Sequence, residues 1–283
     1  MYRSRHVSTG SKRGNRLNKD YEIVKLSKSR LATMDVGRLS RNKHYMFGLL
    51  EVDITLARHA ARALRTQGKP VSFTAWMIKA IGNSIARNKY AHSVSGGKNR
   101  NIVFRDVDIA IPVEKVVGDT AVPLPLLIKG TNTKSAQDIH QEIEAALNQP
   151  IANEKDFILN AHRFSRIALA FYYALPQGMR LLLMRSIFGN PFRAKRHSGT
   201  VTVTTVNAIG RSAGWIIPTR NVHSIAISFG SITRKPWVVG SEVAIREIMH
   251  LTITFDHDVV DGVPARRFVQ DLVNHIEKGD LGE

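Results

Sequence analysis

The stretch LTITFDHDVVDGVPARRF, residues 251–268, decides the fold because it runs from a strand through a tight turn into a helix. Residues 243–255 are rich in β-branched side chains, which favours a strand. Pro264 suits the first turn of a helix, where its missing N–H leaves no hydrogen bond unmade. His257 falls where the strand ends, so its side chain can project from a rigid element into a cleft.

The acidic residues around His257 suggest how the turn is held. Asp261 and Gly262 follow it just before the helix. A carboxylate there can fix the turn by pairing with an arginine or with backbone N–H groups, and a glycine permits an approach that a Cβ would block. Asp256 and Asp258 flank His257 and either raise its basicity or are solvated. No metal site is predicted, because two ligands four residues apart do not make a zinc site.

Strand and helix patterns are interspersed along the rest of the chain. This mixture predicts the α/β class (α+β, with a mixed sheet) and helices that cover the sheet. The strand-like segments are 46–55, 102–115, 121–130, 200–206, 222–233 and 243–255. The helical segments are 28–43, 56–68, 73–89, 134–148 and 264–277.

Residues 157–197 differ from the surrounding pattern and form a helical insertion. They contain the apolar run IALAFYYALPQGMRLLLMRSIF, broken by Pro176, Gly178 and Arg180. Two interpretations stay open. One is a helical pair buried against the core or at a subunit contact. The other is an interfacial hairpin that touches a membrane surface.

Composition limits the chemistry and indicates the charge of the partners. The 283 residues include no cysteine, which excludes disulfides, thiolate metal ligands and a cysteine nucleophile. The formal net charge is +18, so the protein attracts polyanions. No acidic residue occurs between Asp156 and Glu242, whereas that interval holds eleven Lys or Arg residues. No nucleic-acid-binding motif is visible, so nucleic acid is not the expected partner.

We expect residues 1–20 to form a basic flexible tail and residues 21–283 to form one catalytic domain. The beginning of the chain lacks the apolar segment of a signal peptide, and we expect a cytoplasmic location. No run of about 18 apolar residues exists, so no membrane-spanning helix is expected.

The motif HDVVDG, residues 257–262, resembles the H-x-x-x-D-G signature of the chloramphenicol acetyltransferase-like superfamily. The context is more similar to one branch, the catalytic domain of the 2-oxoacid dehydrogenase acyltransferases (dihydrolipoyl acyltransferases). Further segments resemble that domain, and together the likeness covers about residues 45–148 and 198–278. They are GLLEVDIT (48–55), SFTAWMIKAIGNSIARN (72–88), DVDIAIPVE (106–114), AVPLPLL (121–127), GTVTVTTVNAIG (199–210) and SIAISFGSITRKPWVV (224–239).

The resemblance implies a fold, a reaction and site residues. The fold is a two-layer sandwich with helices over a mixed sheet. The reaction is a CoA-dependent acyl transfer between a thioester and a thiol, hydroxyl or amine acceptor. His257 is implied as the general base, Thr204 as the donor to the oxyanion and Asp261 as a residue that holds the loop. Thr205 is the alternative to Thr204, since strand neighbours point to opposite faces.

The resemblance also implies partners. They are coenzyme A or acyl-CoA as substrate without a metal, and a homotrimer whose sites lie between subunits. No lipoyl domain precedes the catalytic domain, so we expect any lipoyl-bearing partner to act in trans. The ending EKGDLGE lacks the apolar tail that links trimers into large cores, so we expect an isolated trimer.

Two departures from the family pattern keep other functions open. Asp258 stands where the family usually has arginine, and Asn207 stands where it usually has glycine. One alternative is therefore a catalytically silent structural or binding protein of the same fold. The charge motivates another, a protein of a membrane or nucleic-acid surface.

Overall fold

The structure is a computed structural model that describes residues 26, 28–117, 120–149, 166–205 and 213–281. The basic tail predicted for residues 1–20 lies outside the described residues, as does the beginning of the predicted insertion. The described helices are α1 (Lys28–Leu39), α2 (Thr55–Thr66), α3 (Phe73–Arg87), α4 (Ala136–Asn148), α5 (Arg166–Ala174), α6 (Gln177–Phe188), α7 (Pro191–Ser198) and α8 (Gly262–Lys278). The described strands are β1 (Tyr45–Asp53), β2 (Val94–Ser95), β3 (Asn101–Ile102), β4 (Ile109–Val117), β5 (Thr120–Ile128), β6 (Val201–Thr205), β7 (Ile225–Val239) and β8 (Glu242–Asp256).

Six strands form one mixed sheet in the order β1-β8-β7-β6-β4-β5. Strand β6 runs parallel to both β4 and β7, and the other neighbouring pairs are antiparallel. The two short strands β2 and β3 form a separate ribbon. The predicted α/β class with a mixed sheet is therefore confirmed.

The core lies between one face of this sheet and the helices. Alternate residues of β8 point to opposite faces, and Leu251, Ile253 and Phe255 belong to the apolar core cluster. Helix α3 is buried over most of its length, and it begins where the Ser72 side chain accepts a hydrogen bond from the Ala75 N–H. The Phe255 ring also packs edge-on against Phe268 of α8. Sheet and helices thus form the two layers predicted from the sequence.

Two strands differ in length from the sequence-based expectation. The strand predicted over 102–115 is divided into β3, which ends at Ile102, and β4, which begins at Ile109. Asp108, just before β4, makes contacts beyond the sheet. Its carboxylate accepts hydrogen bonds from the Gly130 N–H at 2.9 Å and from Lys195 Nζ at 2.6 Å. Strand β7 extends past the predicted end at 233, because it continues with β8 as a long hairpin up to the pair Val239 and Glu242.

The described part of the 157–197 insertion contains three helices, not the pair expected from the sequence. Helix α6 packs on α1 through a buried ion pair, in which Arg180 Nε lies 2.7 Å from Asp35 Oδ2. Tyr172 OH and Gln177 Nε2 donate to the same carboxylate at 3.0 and 3.2 Å. The insertion is therefore fastened to the N-terminal helix by one fully buried aspartate.

We expect Asp35→Ala to lower the free energy of unfolding by about 3–5 kcal/mol, because it leaves the Arg180 charge buried without its partner. Urea denaturation of the two proteins measures this difference. The matched control is Glu142→Ala, which removes a partly exposed ion pair to Lys134. That change is expected to cost less than about 1 kcal/mol. Equal costs for the two variants would contradict the structural role of Asp35.

Candidate active site

His257 directly follows the end of β8, which lies between β1 and β7 in the sheet. Its backbone N–H donates to the His44 carbonyl at 2.7 Å, which extends the β1–β8 ladder one step past Asp256. The residue itself is exposed. The sequence-based expectation of a histidine projecting from a rigid element agrees with this position.

Asp256 shapes the turn that carries His257. Its carboxylate lies 2.8 Å from Lys43 Nζ, and its side chain is only 6% exposed. Its backbone carbonyl accepts hydrogen bonds from the N–H groups of Val259 and Val260 at 3.1 and 3.0 Å. The carboxylate therefore has a fixed partner, and the alternative of a freely solvated Asp256 is wrong.

Asp258 pairs with a residue that the sequence did not single out. His44 Nδ1 lies 2.8 Å from Asp258 Oδ1, and both side chains are largely exposed. The hydrogen bond to Asp258 raises the pKa of His44 above its ordinary value, and the same bond lowers the pKa of Asp258. The acidic residue at a position where arginine is usual thus has its own cationic partner.

The roles predicted for Asp261 and Gly262 remain predictions. Asp261 is the residue before α8, and its side chain makes no capping hydrogen bond to that helix. A Cβ at Gly262 would meet nothing within 4 Å, so the described chain gives no steric reason for glycine there. Within one chain, hydrogen bonds of Asp256 hold the turn instead.

The two candidate hydroxyl residues of β6 point to opposite faces of the sheet. Thr205 lies on the helix side and lines a cavity of about 240 Å³ together with Val203. Thr204 lies on the other side, as does Thr202, whose hydroxyl donates to the Ala110 carbonyl at 3.2 Å. The strand thus presents one of the two candidate threonines to each face.

A row of hydroxyl residues crosses the sheet beside Thr204. Thr204 is opposite Ser228 on β7, and Ser228 is opposite Thr252 on β8. Ser228 and Thr252 are fully buried, and their hydroxyls have no hydrogen-bond partner among the described residues. Sequence reasoning missed both, because a hydroxyl in a strand is usually structural and only the register aligns them.

Thr204 and His257 are far apart within one chain. Thr204 is aligned with Thr252, which precedes His257 by five residues along β8. Five residues correspond to roughly 16 Å along the strand, and two strand spacings add roughly 10 Å across the sheet. A hydrogen bond to a shared reacting group spans only about 2.6–3.2 Å. One chain alone therefore does not bring the two predicted site residues together.

The described residues contain no group of three or more His, Asp or Glu side chains suited to hold a metal ion. The charged groups nearest the turn pair with each other instead, Lys43 with Asp256 and His44 with Asp258. The arrangement thus offers an exposed imidazole beside fixed ion pairs, which suits proton transfer.

Comparison with known proteins shows a family resemblance over part of the chain. Residues 193–281 match the family described as 2-oxoacid dehydrogenases acyltransferase (catalytic domain). This segment contains both β6 with its threonines and the turn with His257. The resemblance predicted from the sequence to this acyltransferase domain is therefore confirmed.

Curated relatives agree with this match. The chain is 39% identical over 72 residues to the dihydrolipoyllysine-residue acetyltransferase component of the pyruvate dehydrogenase complex from Acholeplasma laidlawii, covering 25% of this chain and 13% of that protein. It is 22% identical over 222 residues to the mitochondrial dihydrolipoyllysine-residue succinyltransferase component of the 2-oxoglutarate dehydrogenase complex from Bos taurus, covering 78% of this chain and 40% of that protein. The alignments thus span less than half the length of these relatives.

Solved structures share the fold over nearly the whole chain. A probable dihydrolipoamide acetyltransferase from Listeria monocytogenes 4b F2365 superposes with a TM-score of 0.64 at 19% identity, covering 93% of this chain and 97% of that one. A truncated catalytic core of the 2-oxoacid dehydrogenase multienzyme complex from Thermoplasma acidophilum gives 0.60 at 18% identity, covering 92% and 99%. The predicted two-layer architecture is thereby confirmed.

We expect the His44 imidazole to titrate above its ordinary pKa, and Asp258→Asn to return the midpoint to the ordinary value. The raised pKa of His44 stabilises the fold below its unfolded pKa, and this contribution is lost as pH rises through the folded value. The lowered pKa of Asp258 stabilises the fold above its unfolded pKa, and this contribution is lost as pH falls through the folded value. The pair therefore stabilises the fold at pH values between the folded pKa of Asp258 and the folded pKa of His44.

Imidazole resonances followed by NMR across this range measure the midpoint. The control is Asp106→Asn, which neutralises an exposed carboxylate outside the turn. An unchanged His44 midpoint in Asp258→Asn would refute the pairing in solution.

Proposed function

We propose that this protein is a CoA-dependent acyltransferase that moves an acyl group between a thioester and a thiol, hydroxyl or amine acceptor. One observation carries the proposal. The segment that matches the acyltransferase catalytic domain includes His257. This exposed histidine follows the end of β8, and its backbone N–H extends the β1–β8 ladder. A rigid strand end with an exposed imidazole is where a general base can meet a substrate.

The proposed first step is deprotonation of the acceptor. A thiol has an ordinary pKa of about 8.5, so it is mostly protonated and a poor nucleophile at neutral pH. The neutral imidazole of His257 accepts that proton while the acceptor atom forms a bond to the thioester carbonyl carbon. Collapse of the tetrahedral species breaks the bond to sulfur, and the departing CoA thiolate takes the proton back from the imidazole. The transfer is direct, without an acyl-enzyme.

The proposed oxyanion donor is the Thr204 hydroxyl. A donor aimed at the developing negative charge is typically worth about 2.7–4 kcal/mol in the barrier. The position of Thr204 on the sheet face opposite the helices supports it over Thr205, which faces a cavity lined by core residues. Asp261 is proposed to hold the loop, with a partner supplied by a neighbouring subunit, because its side chain does not cap α8.

The proposed assembly is a homotrimer with sites between subunits. The separation of roughly 19 Å between Thr204 and His257 in one chain supports this arrangement, because a neighbouring copy is needed to supply the second group. A related structure is the cubic core of the pyruvate dehydrogenase multienzyme complex, 16% identical with a TM-score of 0.61. We propose an isolated trimer for this protein, served in trans by any lipoyl-bearing partner.

The proposed acyl carrier also suits the charge of the protein. Coenzyme A carries several phosphate charges, and a net charge of +18 raises the local concentration of such an anion. This field draws acyl-CoA to the surface. The choice of acyl group rests with the pocket that the assembled site forms.

We expect His257→Ala to lower kcat/KM for acyl transfer by about 10²–10⁴-fold, because the acceptor then loses its base. Thr204→Ala is expected to lower kcat by about 10²–10³-fold with little change in acyl-CoA binding. Thr205→Ala is the matched control, since the same change is made on the other face of the strand. Release of CoA from acetyl-CoA with mixed thiol and alcohol acceptors measures each rate. Wild-type turnover by His257→Ala would end the assignment.

Sites between subunits predict that two inactive variants restore each other. In mixed trimers of differently tagged His257→Ala and Thr204→Ala chains, about one third of the sites contain both native residues, because each such trimer has one fully native site among its three. Purification through both tags, followed by the same assay, measures the recovered activity. Activity no higher than that of the separate variants would place the site within one chain.

The same assay addresses the catalytically silent alternative, which the substitutions at Asp258 and Asn207 motivate. A silent protein of this fold would bind CoA and show no turnover with any acceptor class. Turnover that depends on His257 removes this alternative.

A further inference from the structure

The three helices α5–α7 carry large apolar side chains that stay exposed in the described chain, and one of them, Phe192, also packs edge-on against Phe104. We define these residues as the outer face. They are Phe171, Met179, Leu182, Leu183 and Phe192, with exposed fractions of 62%, 51%, 67%, 43% and 61%. Contiguous exposed apolar surface of this kind marks an interaction site in a soluble protein.

The opposite side of the helices makes ion pairs and hydrogen bonds within the described chain. Arg180 of α6 is buried against α1, where it pairs with Asp35, and its Nη1 donates to the Leu175 carbonyl at 3.1 Å. Helix α7 is tied to the sheet layer, because Lys195 Nζ lies 2.6 Å from the Asp108 carboxylate. These ion pairs therefore hold the helices to the rest of the chain, and the outer face stays exposed.

Among the described residues, the charged side chains exposed on α6 and α7 are all positive. Arg185, Arg193 and Arg196 are exposed on α6 and α7. Two further cations of the segment, Arg180 and Lys195, are neutralised by the internal pairs with Asp35 and Asp108. No acidic residue lies anywhere between Asp156 and Glu242. The partner that complements this face is therefore anionic next to an apolar layer.

A two-fold contact between copies fits this face poorly, because the same patch on both subunits would place these arginines against one another. A contact within the proposed trimer would instead join this face to a different patch of the neighbouring copy, and the sedimentation experiment below distinguishes that outcome. Another exposed apolar region, the end of the β7–β8 hairpin, differs in this respect. Val243 and Ile245 there are 70% and 57% exposed, and acidic Glu242 lies beside them. That region has the mixed charge that suits a protein partner.

We propose that the outer face of α5–α7 docks on a membrane surface rich in anionic phospholipid. The apolar side chains enter the boundary between headgroups and acyl chains, and the arginines contact the lipid phosphates. None of the described helices is long and apolar enough to cross a membrane, which suits helices lying in the plane of the interface. This docking is independent of the acyl transfer proposed above.

Co-sedimentation of the full chain with vesicles tests the apolar part of the proposal. Binding is expected to vesicles of phosphatidylglycerol mixed with phosphatidylcholine, and to be weak with phosphatidylcholine alone. Leu182→Asp is expected to weaken binding about tenfold or more, because it removes an apolar side chain that enters the membrane and adds a negative charge. The matched control is Val243→Asp, the same kind of change at an equally exposed apolar residue on β8. It is expected to bind as the wild type does.

Two double variants with the same net charge distinguish docking through the outer face from general attraction of a basic protein to anionic vesicles. The double variant Arg185→Gln/Arg196→Gln is expected to bind about 30-fold more weakly, about fivefold for each arginine. The double variant Arg62→Gln/Arg65→Gln on α2 has the same net charge and is expected to keep most of the affinity. Equal losses in both variants would overturn the proposal in favour of non-specific attraction.

Sedimentation velocity separates the membrane from a subunit contact. The proposal expects Leu182→Asp to leave the oligomeric state unchanged. A shift to smaller species in that variant would overturn the proposal and assign the outer face to contacts between copies. Each variant is expected to keep the thermal unfolding midpoint of the wild type, measured by circular dichroism. A loss of binding then results from the changed surface and not from a loss of the fold.

Discussion

The antiparallel pairing of β8 with both β1 and β7 is the constraint on which the structure depends. Nine residues of β1, from Tyr45 to Asp53, pair with Asp256 to Ile248 on one side of β8. On the other side, β7 pairs with the same strand from Phe255 down to Glu242. A central strand with both edges hydrogen-bonded cannot shift in register without reversing which side chains face the core. The position of His257 at its end is fixed by that register.

The turn after β8 depends on ionic contacts as well as on the ladder. Asp256 is buried, and its carboxylate lies 2.8 Å from Lys43 Nζ, which precedes β1. The pair of His44 and Asp258 adds a second, exposed contact between the same two segments. The beginning of β1 is thereby held against the end of β8. A histidine supported in this way keeps its position while the side chain stays exposed to a substrate.

The cations of α5–α7 are of two kinds, those that form ion pairs inside the fold and those that are exposed. The acid-free interval between Asp156 and Glu242 includes α5–α7, whose inner cations find carboxylates elsewhere in the fold. Asp35 and Asp108 supply these partners from distant parts of the sequence. The remaining arginines of α6 and α7 lie beside exposed apolar side chains. The basic residues of this segment thus form internal ion pairs at two positions and stay exposed at the others.

The sequence by itself determined the class of fold, the strand–turn–helix around His257 and the family resemblance. These features depend on local patterns, such as apolar spacing, Pro264 at a helix start and the motif HDVVDG. Contacts between residues distant in sequence were decided only by the tertiary structure. The register alone aligns Thr204 with Ser228 and Thr252, and the packing of α1 on α6 alone pairs Asp35 with Arg180. Such pairings have no local signal, because hydrogen bonds and ion pairs depend on distance in space and not on separation along the chain.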